Sequence, residues 1–496
     1  MPKIIIQAPR EGIAGSPFVG FGDVRNLDID SLFGIARLNN ILVKKSSTTV
    51  VAQVNWIVRH PITTTEIYAL DNAGTVYKST DTGATWAVLA GSSSTNAHGN
   101  GLWIWKNYLF VARDALLDTC GDGTATGITA ANWTLGWKTI DSDVLWHPML
   151  TSKNDSKLFG GAGRFVYSLE ELTTFAPGSA PTYTWTQQAL DLPTAYRIKC
   201  IEELGNNLML GTWQGTNIYD IRVADIFPWD RSSTSFGQPI VMAEYGVHAL
   251  FNSGNSLVVL AGTNGTIFRC DGANANIIGQ LPQDLSGGKY LEWYPGGICS
   301  YKNKVFFGVG QGGTTAIAGM GVYSLYQTGQ GNILNLEHLV STLNDGSSNP
   351  LKPSALLPIT RDTLLVGWRD NATYGLDLTT ATSYAYTTNY SGSFDSRIYD
   401  VGVNENKWKP IQAQIRFGRP LRTGEGIQIS YRFSLADSFT TIKTLAFADN
   451  GVGAIITKTF PIQLPDNVKQ TDQVQFRVAL LGTSTTTPEF KALIIE

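Results

Sequence analysis

Five histidines, His60, His98, His147, His248 and His338, are the whole stock of imidazole for acid–base or metal chemistry in 496 residues. None forms an H-E-x-x-H or i, i+4 pair, the spacing that sets two imidazoles on one metal. His248 falls inside an apolar strand pattern, so all five read as structural. The carboxylate pairs Asp114/Asp118 and Glu170/Glu171 have the residue types to flank a glycosidic bond, but nothing beside them in sequence converges, and solvated loop faces are the plainer reading. Arg59, Arg113, Arg164, Arg197, Arg269 and Arg369 have the chemistry to clamp a substrate carboxylate, yet they follow no recognisable clamp pattern. There is no G-x-S-x-G elbow, and Gly287-Gly288-Lys289 lacks the upstream glycine and following hydroxyl of a phosphate loop. Trp103, Trp213, Trp293 and Trp368 have faces that could stack on sugars, but strands of this kind more commonly bury such rings. No catalytic residue, cofactor or metal ligand is expected, and the chain reads as non-enzymatic.

The elements that would position any site are strands. Apolar residues make up 43% of the chain and charged residues only 16%, against 51 glycines and 11% aromatics. A surface so poor in Glu and Lys must be covered by Ser, Thr, Asn and Gln, the composition of a rigid all-β protein. The net charge of −3 gives no global basic field to draw in nucleic acid. No apolar run approaches the length of a membrane span or signal peptide, so no membrane anchor is expected. Cys120, Cys200, Cys270 and Cys299 have no CxxC spacing and read as small apolar core residues. Cytoplasmic synthesis fits that usage.

A unit of apolar strand, turn, second apolar strand, polar turn and third strand recurs along the chain. Leu102–Trp105, Lys106-Asn107, Tyr108–Ala112 is one copy; others centre on Arg197–Thr212, His248–Cys270, Ile298–Leu325 and Ala355–Leu376. Weaker copies begin at Val54 and Met149, so that Val54, Leu102, Leu150, Cys200, Ala249, Cys299 and Leu356 recur every 48–57 residues. Antiparallel hairpins at this period are the signature of propeller blades, and seven copies predict seven blades. The copy centred on Arg197–Thr212 is expected to end on Asn217–Asp220. The Thr-, Ser- and Gly-rich inserts 119–136, 173–194, 223–237 and 329–350 read as long surface loops, where binding function tends to sit.

One motif is sharper. Ser79-Thr80-Asp81-Thr82-Gly83-Ala84-Thr85-Trp86 matches the Asp-box pattern S-x-D-x-G-x-T-W and resembles the blade turns of sialidase and sortilin-like propellers. The Ser and Asp side chains are expected to bond turn amides, Gly83 to allow the reversal, and Trp86 to pack between sheets. The expected role of Ser79, Asp81, Gly83, Thr85 and Trp86 is structural, since a fold motif does not carry activity.

The flanks differ. Residues 395–496 hold twelve Lys and Arg against ten Asp and Glu, a net of +2 that leaves −5 for residues 1–394. Their strands, such as Ile411–Phe417, Ile427–Phe433, Val474–Leu480 and Glu489–Ile495, alternate apolar and polar, predicting an antiparallel β-sandwich. Residues 1–49 read as an extended N-terminal arm, lying on a neighbouring subunit or supplying a strand (Ile41–Lys45) that closes the ring. The expected layout is an all-β chain: arm 1–49, β-propeller 50–394 and sandwich 395–496.

This order resembles the tail nozzle or tail hub proteins of short-tailed bacteriophages, the packaged-DNA stabilisation proteins. Arg25-Asn26-Leu27-Asp28-Ile29-Asp30-Ser31-Leu32-Phe33-Gly34-Ile35 is similar to the family's opening, with Phe33 where proline is usual, and Phe476-Arg477-Val478 with Pro488–Glu496 is similar to its final strands. The resemblance implies a virion component assembled in the host cytoplasm. Six copies would form a homohexameric tube below the adaptor and portal rings, retaining packaged DNA until ejection. The lumen need not be basic, because phosphate neutralisation by Lys and Arg is what makes DNA stick. The alternatives are a receptor-binding tail spike or fibre, which would use the inter-blade loops to hold host glycan, and a glycan-binding Asp-box propeller.

Overall fold

The computed structural model describes residues 4–7, 23–25, 27–29, 35–46, 50–92, 98–141, 146–171, 183–214, 223–281, 285, 289–312, 320–328, 331–338, 351–379, 391–400, 412–435, 437–450, 456–462, 473–483 and 485–496. Their regular structure is strand, broken by two short 3-10 turns at Ala130–Asn132 and Phe447–Asn450. Contacts divide the chain into two compact units. One comprises Met1–Leu42, Gly321–Asp345 and Thr379–Glu496; the other comprises Val43–Met320 and Gly346–Leu378.

The second unit is built of antiparallel sheets taken in chain order. Four-stranded meanders run through Val54–Val88, Gly99–Thr139, Met149–Asp191, Tyr196–Tyr245 and Val247–Gln280. Lys304–Gly312 then pairs with Ile298–Tyr301 and with Tyr290–Glu292. A last four-stranded sheet takes Leu351–Thr360, Thr363–Asp370 and Thr373–Thr379, and borrows its outermost strand, Leu42–Lys44, from the start of the chain. Leu42–Lys44 thus lies beside Thr373–Thr379 as the fourth strand of that sheet. The innermost strands touch in sequence, Val54–Arg59, Gly99–Trp105, Met149–Thr151, Tyr196–Leu204, Val247–Asn252, Ile298–Tyr301 and Leu351–Thr360, and the last returns to the first. Meanders arranged radially in a closed circuit make a β-propeller.

Local chemistry explains the hairpins. Trp105 pairs with Tyr108 and Tyr301 with Lys304, leaving two-residue loops Lys106-Asn107 and Lys302-Asn303 with positive φ at all four positions. That is the type I′ turn whose twist matches the flanking strands. The inserts expected to be loops contain strands instead: Trp133–Thr139, Tyr183–Asp191, Val223–Trp229 and Gly331–His338. Trp133–Thr139 and Tyr183–Asp191 are outer edge strands, largely exposed, so they lack the apolar run that marks an inner strand. Asn217–Asp220 lies outside the described residues, and the strand that pairs with Asn207–Gln214 is Val223–Trp229.

Between adjacent sheets the fit is set by backbone approach. A Cβ on Gly161 would lie 2.7 Å from Ile198, one on Gly211 2.7 Å from Val247, one on Gly308 2.3 Å from the Pro353 carbonyl, and one on Gly367 3.0 Å from Val54. In each case a second strand carries the glycine and the next sheet's first strand carries the neighbour.

The other unit gathers distant segments. Ile4–Gln7 pairs with Phe490–Ile495, which pairs with Gln412–Phe417 and through it Thr457–Pro461. Asp23–Arg25 lies between Gly331–His338 and Ser391–Asp395, and that sheet continues through Gln473–Leu481 to Gly426–Arg432 and Thr440–Ala446. The Phe394 and Phe490 rings, one from each sheet, meet at 5.3 Å. The threefold division at 49 and 394 therefore does not match the compact units, because the first residues are strands of the same unit as the last. Ile411 and residues 30–34 lie outside the described residues.

Gly308→Ala is expected to cost about 2–3 kcal/mol and lower the thermal midpoint, since the clash is with a backbone carbonyl that cannot rotate away. Gly279→Ala, whose Cβ meets nothing nearer than 3.9 Å, is the control and should leave the midpoint close to wild type.

Candidate functional site

The first strands share an irregularity that selects one end of the propeller axis. Their pairing with the second strands skips a residue between Val54 and Trp56, Gly99 and Gly101, Ile198 and Cys200, Val247 and Ala249, and Pro353 and Ala355. Each skip is a β-bulge, which re-aims the extra side chain. The extra residues are Asn55, Asn100, Lys199, His248 and Ser354, all buried. His147 holds the matching place before Met149–Thr151, as the Gly161 amide bonding Pro148 O fixes its register. Before Ile298–Tyr301 the place falls to Gly296, where a Cβ would lie 2.2 Å from Asn55 O.

These side chains tie one sheet to the next. Ser354 Oγ donates to Val54 O at 2.6 Å. His147 reaches Gly161 O at 3.1 Å and Asp114 O at 2.7 Å through its two ring nitrogens. Lys199 Nζ contacts His248 Nδ1 at 2.6 Å and Trp293 O at 3.2 Å, and lies 5.2 Å from the centre of the Trp146 ring. Burial pushes the Lys199 ammonium down to about 8, with partial relief from the Glu292 carboxylate. Burial, then the Lys199 charge, pushes His248 well below its ordinary value. His248 is thus neutral at pH 7, accepting from Lys199 at Nδ1 and bonding Tyr245 O through Nε2–H at 3.2 Å.

Trp146 packs beside Lys199. It meets Trp56 edge-on at 6.5 Å and Tyr294 at 6.1 Å, so that with Lys199 three side chains from separate parts of the propeller converge on it. Tyr294 donates to Glu292 Oε2 at 2.5 Å, and Glu292 pairs with Lys352 at 2.7 Å. The arrangement packs Trp56, Tyr294 and Lys199 around a half-buried Trp146. The three N–H bonds of Lys199 face an imidazole, a carbonyl and an indole, which leaves none to meet a substrate. Sequence reasoning did not find this cluster; the signal available was a polar residue just inside the start of each first strand.

The turn 79–86 is built as its residue types predict. Ser79 Oγ accepts from the Gly83 amide at 2.9 Å and donates to Asp81 Oδ1 at 2.8 Å. Asp81 accepts from the Thr85 amide at 2.8 Å and the Thr85 hydroxyl at 2.7 Å. Gly83 has φ +90°, and Trp86 donates to Gly83 O at 3.1 Å while packing among Ile67, Ala69, Leu365 and Leu376 between the first and last sheets. Partial burial works against the Asp81 charge, but the hydrogen bonds from Thr85, Ser79 and Ala84 outweigh it and hold the carboxyl below its usual range.

Other candidate groups are dispersed. Asp118 is not on a solvated face: it is buried and paired with Arg113, because Leu116–Cys120 is an interior strand. Arg113 also donates to Gly74 O and Ser92 O. Asp114 meets His98 at 3.0 Å, while Glu170 and Glu171 pair with Lys157 and Lys106. Arg59 bonds Thr64 O and Ile359 O, Arg164 pairs with Asp191, Arg197 bonds Thr194 O, and Arg369 bonds Asn371 O, each on a different sheet. Buried His60 accepts the Ile62 and Thr63 amides at Nδ1, and His338 meets Asn40 O. The four cysteines are free and buried. Trp213, Trp293 and Trp368 are buried, and half-buried Trp103 bonds Thr151 Oγ1. Among the described residues no three His, Cys, Asp or Glu gather as metal ligands, and no helix is long and apolar enough to cross a membrane.

No family model matches the sequence, and no curated protein matches it. Solved structures similar to it include the extracellular domain of a hybrid two component system from B. thetaiotaomicron, at 12% identity and TM-score 0.46 over 76% of this chain and 44% of that one. Others are YCF48 bound to D1 peptide, at 11% identity and TM-score 0.44 over 72% and 98%, and the Cps50 (Swd1) β-propeller domain of Myceliophteria thermophila, at 13% identity and TM-score 0.43 over 68% and 100%. The chain spans less than half of the first of these.

Two predictions follow the two constellations. Asp81→Ala should cost about 1–2 kcal/mol, the scale of losing a turn-capping carboxylate. With its folded pKa depressed, the Asp81 contribution is present above the ordinary carboxylate range and is lost as pH falls through the folded value, so wild type and variant should converge in acid. For Lys199, the unfolded chain keeps its proton to about 10.5 while the folded chain releases it near 8. Stability attributable to Lys199 thus rises as pH climbs through that window. Subtracting the denaturation curves of Lys199→Met from those of wild type should isolate this rise; a pH-independent difference would refute it.

Proposed function

We propose that the chain is a non-enzymatic structural component of a bacteriophage tail, a nozzle or hub subunit that lines the ejection channel and retains packaged DNA. In this reading the propeller has seven blades, one for each first strand of the circuit, and the two sheets that meet through Phe394 and Phe490 form the β-sandwich. The observation that carries it is the chain's layout: one propeller, with strands from both chain ends and from between Met320 and Gly346 assembled into a second all-β unit.

The axial cluster refines where DNA would run. With Trp56, Trp146, Tyr294 and Lys199 gathered beside the first strands, the channel in this reading is enclosed between copies of the chain rather than along the propeller axis. A sparse-charge wall with net −5 over residues 1–394 would let DNA slide, because few cations are available to displace its counterions. Partners in this reading are five further copies, the adaptor and portal rings and other tail proteins, with the virion tail as location.

Native mass spectrometry and negative-stain imaging of the purified chain, alone and mixed with its adaptor or portal ring, test the reading. A sixfold ring under either condition is expected. A stable trimer would favour a spike, and a chain that stays monomeric in both conditions would overturn the nozzle assignment.

A further inference from the structure

The outer strands of the second and third sheets carry paired distortions beside a cleft. In the third sheet Val166 pairs with Leu190 and Ser168 with Thr186, so Gln187, Gln188 and Ala189 stand opposite the single residue Tyr167. In the second, Leu117 pairs with Lys138 and Thr119 with Thr134, so Leu135, Gly136 and Trp137 stand opposite Asp118. The second bulge is pinned from inside: Asp118 Oδ1 accepts the Gly136 amide at 2.5 Å, Gly136 has φ +61°, and Arg113 holds Asp118. Trp137 then meets Trp185 at 6.1 Å and Tyr183 at 6.0 Å, joining the two outer strands through aromatic contacts. Bulges of this kind re-aim side chains and concentrate beside binding sites.

The cleft has a volume of about 370 Å³ and is lined by Phe165, Ile140, Asp141, Thr139, Gln187 and Gln188, together with two alanines. That volume lies within the range of ligand sites, about 300–1,000 Å³. Phe165 is backed by the Arg164 guanidinium at 4.7 Å, and Arg164 is anchored by Asp191 at 3.0 Å. The side chains of Thr139, Asp141, Gln187 and Gln188 make no hydrogen bond among the described residues, whereas Lys199 and His248 of the axial cluster are engaged.

We infer that this cleft is a binding site for a neutral saccharide. Two primary amides offer donors and acceptors together, a carboxylate accepts two hydroxyls at once, and an aromatic ring offers a face for the C–H side of a pyranose. An anionic ligand such as a phosphate or nucleic acid is disfavoured, because the lining has a carboxylate and no cation. A single carboxylate is also too few hard ligands for a protein-built divalent-cation site.

The test uses the full chain and saturation-transfer NMR with glucose-, galactose- and N-acetylglucosamine-based trisaccharides, and sialyllactose as the anionic comparison. At least one neutral trisaccharide should receive saturation. Asp141→Ala, and Gln187→Ala with Gln188→Ala, should each weaken binding tenfold or more at an unchanged thermal midpoint. Phe165→Leu keeps the volume and removes the ring face, and should weaken binding as well. No transfer to any neutral sugar at millimolar concentration, equal transfer in the variants, or a preference for sialyllactose would overturn the proposal. The measurement is independent of ring formation, so its failure and that of the nozzle reading are separable.

Discussion

At four junctions of the propeller, the first strand approaches the sheet beside it closely enough that a side chain on the neighbouring second strand has no room. Gly161, Gly211, Gly308 and Gly367 meet this demand, each facing the residue just before the next sheet's bulge position: Ile198, Val247, Pro353 and Val54. The bulge follows from the same crowding. A first strand squeezed between two second strands cannot keep a regular ladder at its start, and a skipped residue lets it bend and twist away. What the skip ejects is then aimed at the neighbouring sheet or the axis.

That is where the polar residues sit, and their energetics depend on full pairing. A buried lysine or histidine without partners would cost several kcal/mol. Lys199 and His248 satisfy each other while reaching Trp293 O and Tyr245 O, and His147 sets one ring nitrogen 2.7 Å from the Asp114 carbonyl, within reach of a donated N–H. Networks of this type hold neighbouring sheets in one register because each bond has a fixed direction. The same logic governs Arg113 and Asp118, which tie the second sheet to Gly74 O and Ser92 O of the first and fix the bulge that carries Trp137. A rigid inner ring thereby sets the geometry of an outer surface on which Gln187 and Gln188 remain unengaged.

Inner strands such as Tyr108–Arg113 and Leu257–Ala261 are buried along their whole length, so continuous apolar runs announce them. Two-residue turns such as Lys106-Asn107 and the Ser79–Trp86 turn are equally local in their backbone reversal, since the left-handed residues, and in the second turn the Ser79 and Asp81 side-chain bonds, lie within a few positions. These features made the all-β class, the repeat and the turn legible. The outer strands Trp133–Thr139 and Tyr183–Asp191 are solvated edges, and polar residues satisfy an edge as well as they satisfy a loop. Composition alone therefore assigned them to loops.

Local chemistry in the sequence determined the strands that bury both faces, the turns that reverse them and the spacing that repeats them. Tertiary structure alone decided that Leu42–Lys44 completes the sheet of Thr373–Thr379, and that Ile4–Gln7 lies along Phe490–Ile495. It also decided that Asp118 is buried and that Trp56, Trp146, Lys199, His248 and Tyr294 meet at one point. The physical reason is separation: strand pairing across hundreds of residues and convergence about an axis are selected by loop closure and shared burial. Neither leaves a mark at short range beyond an ordinary strand and an isolated polar residue.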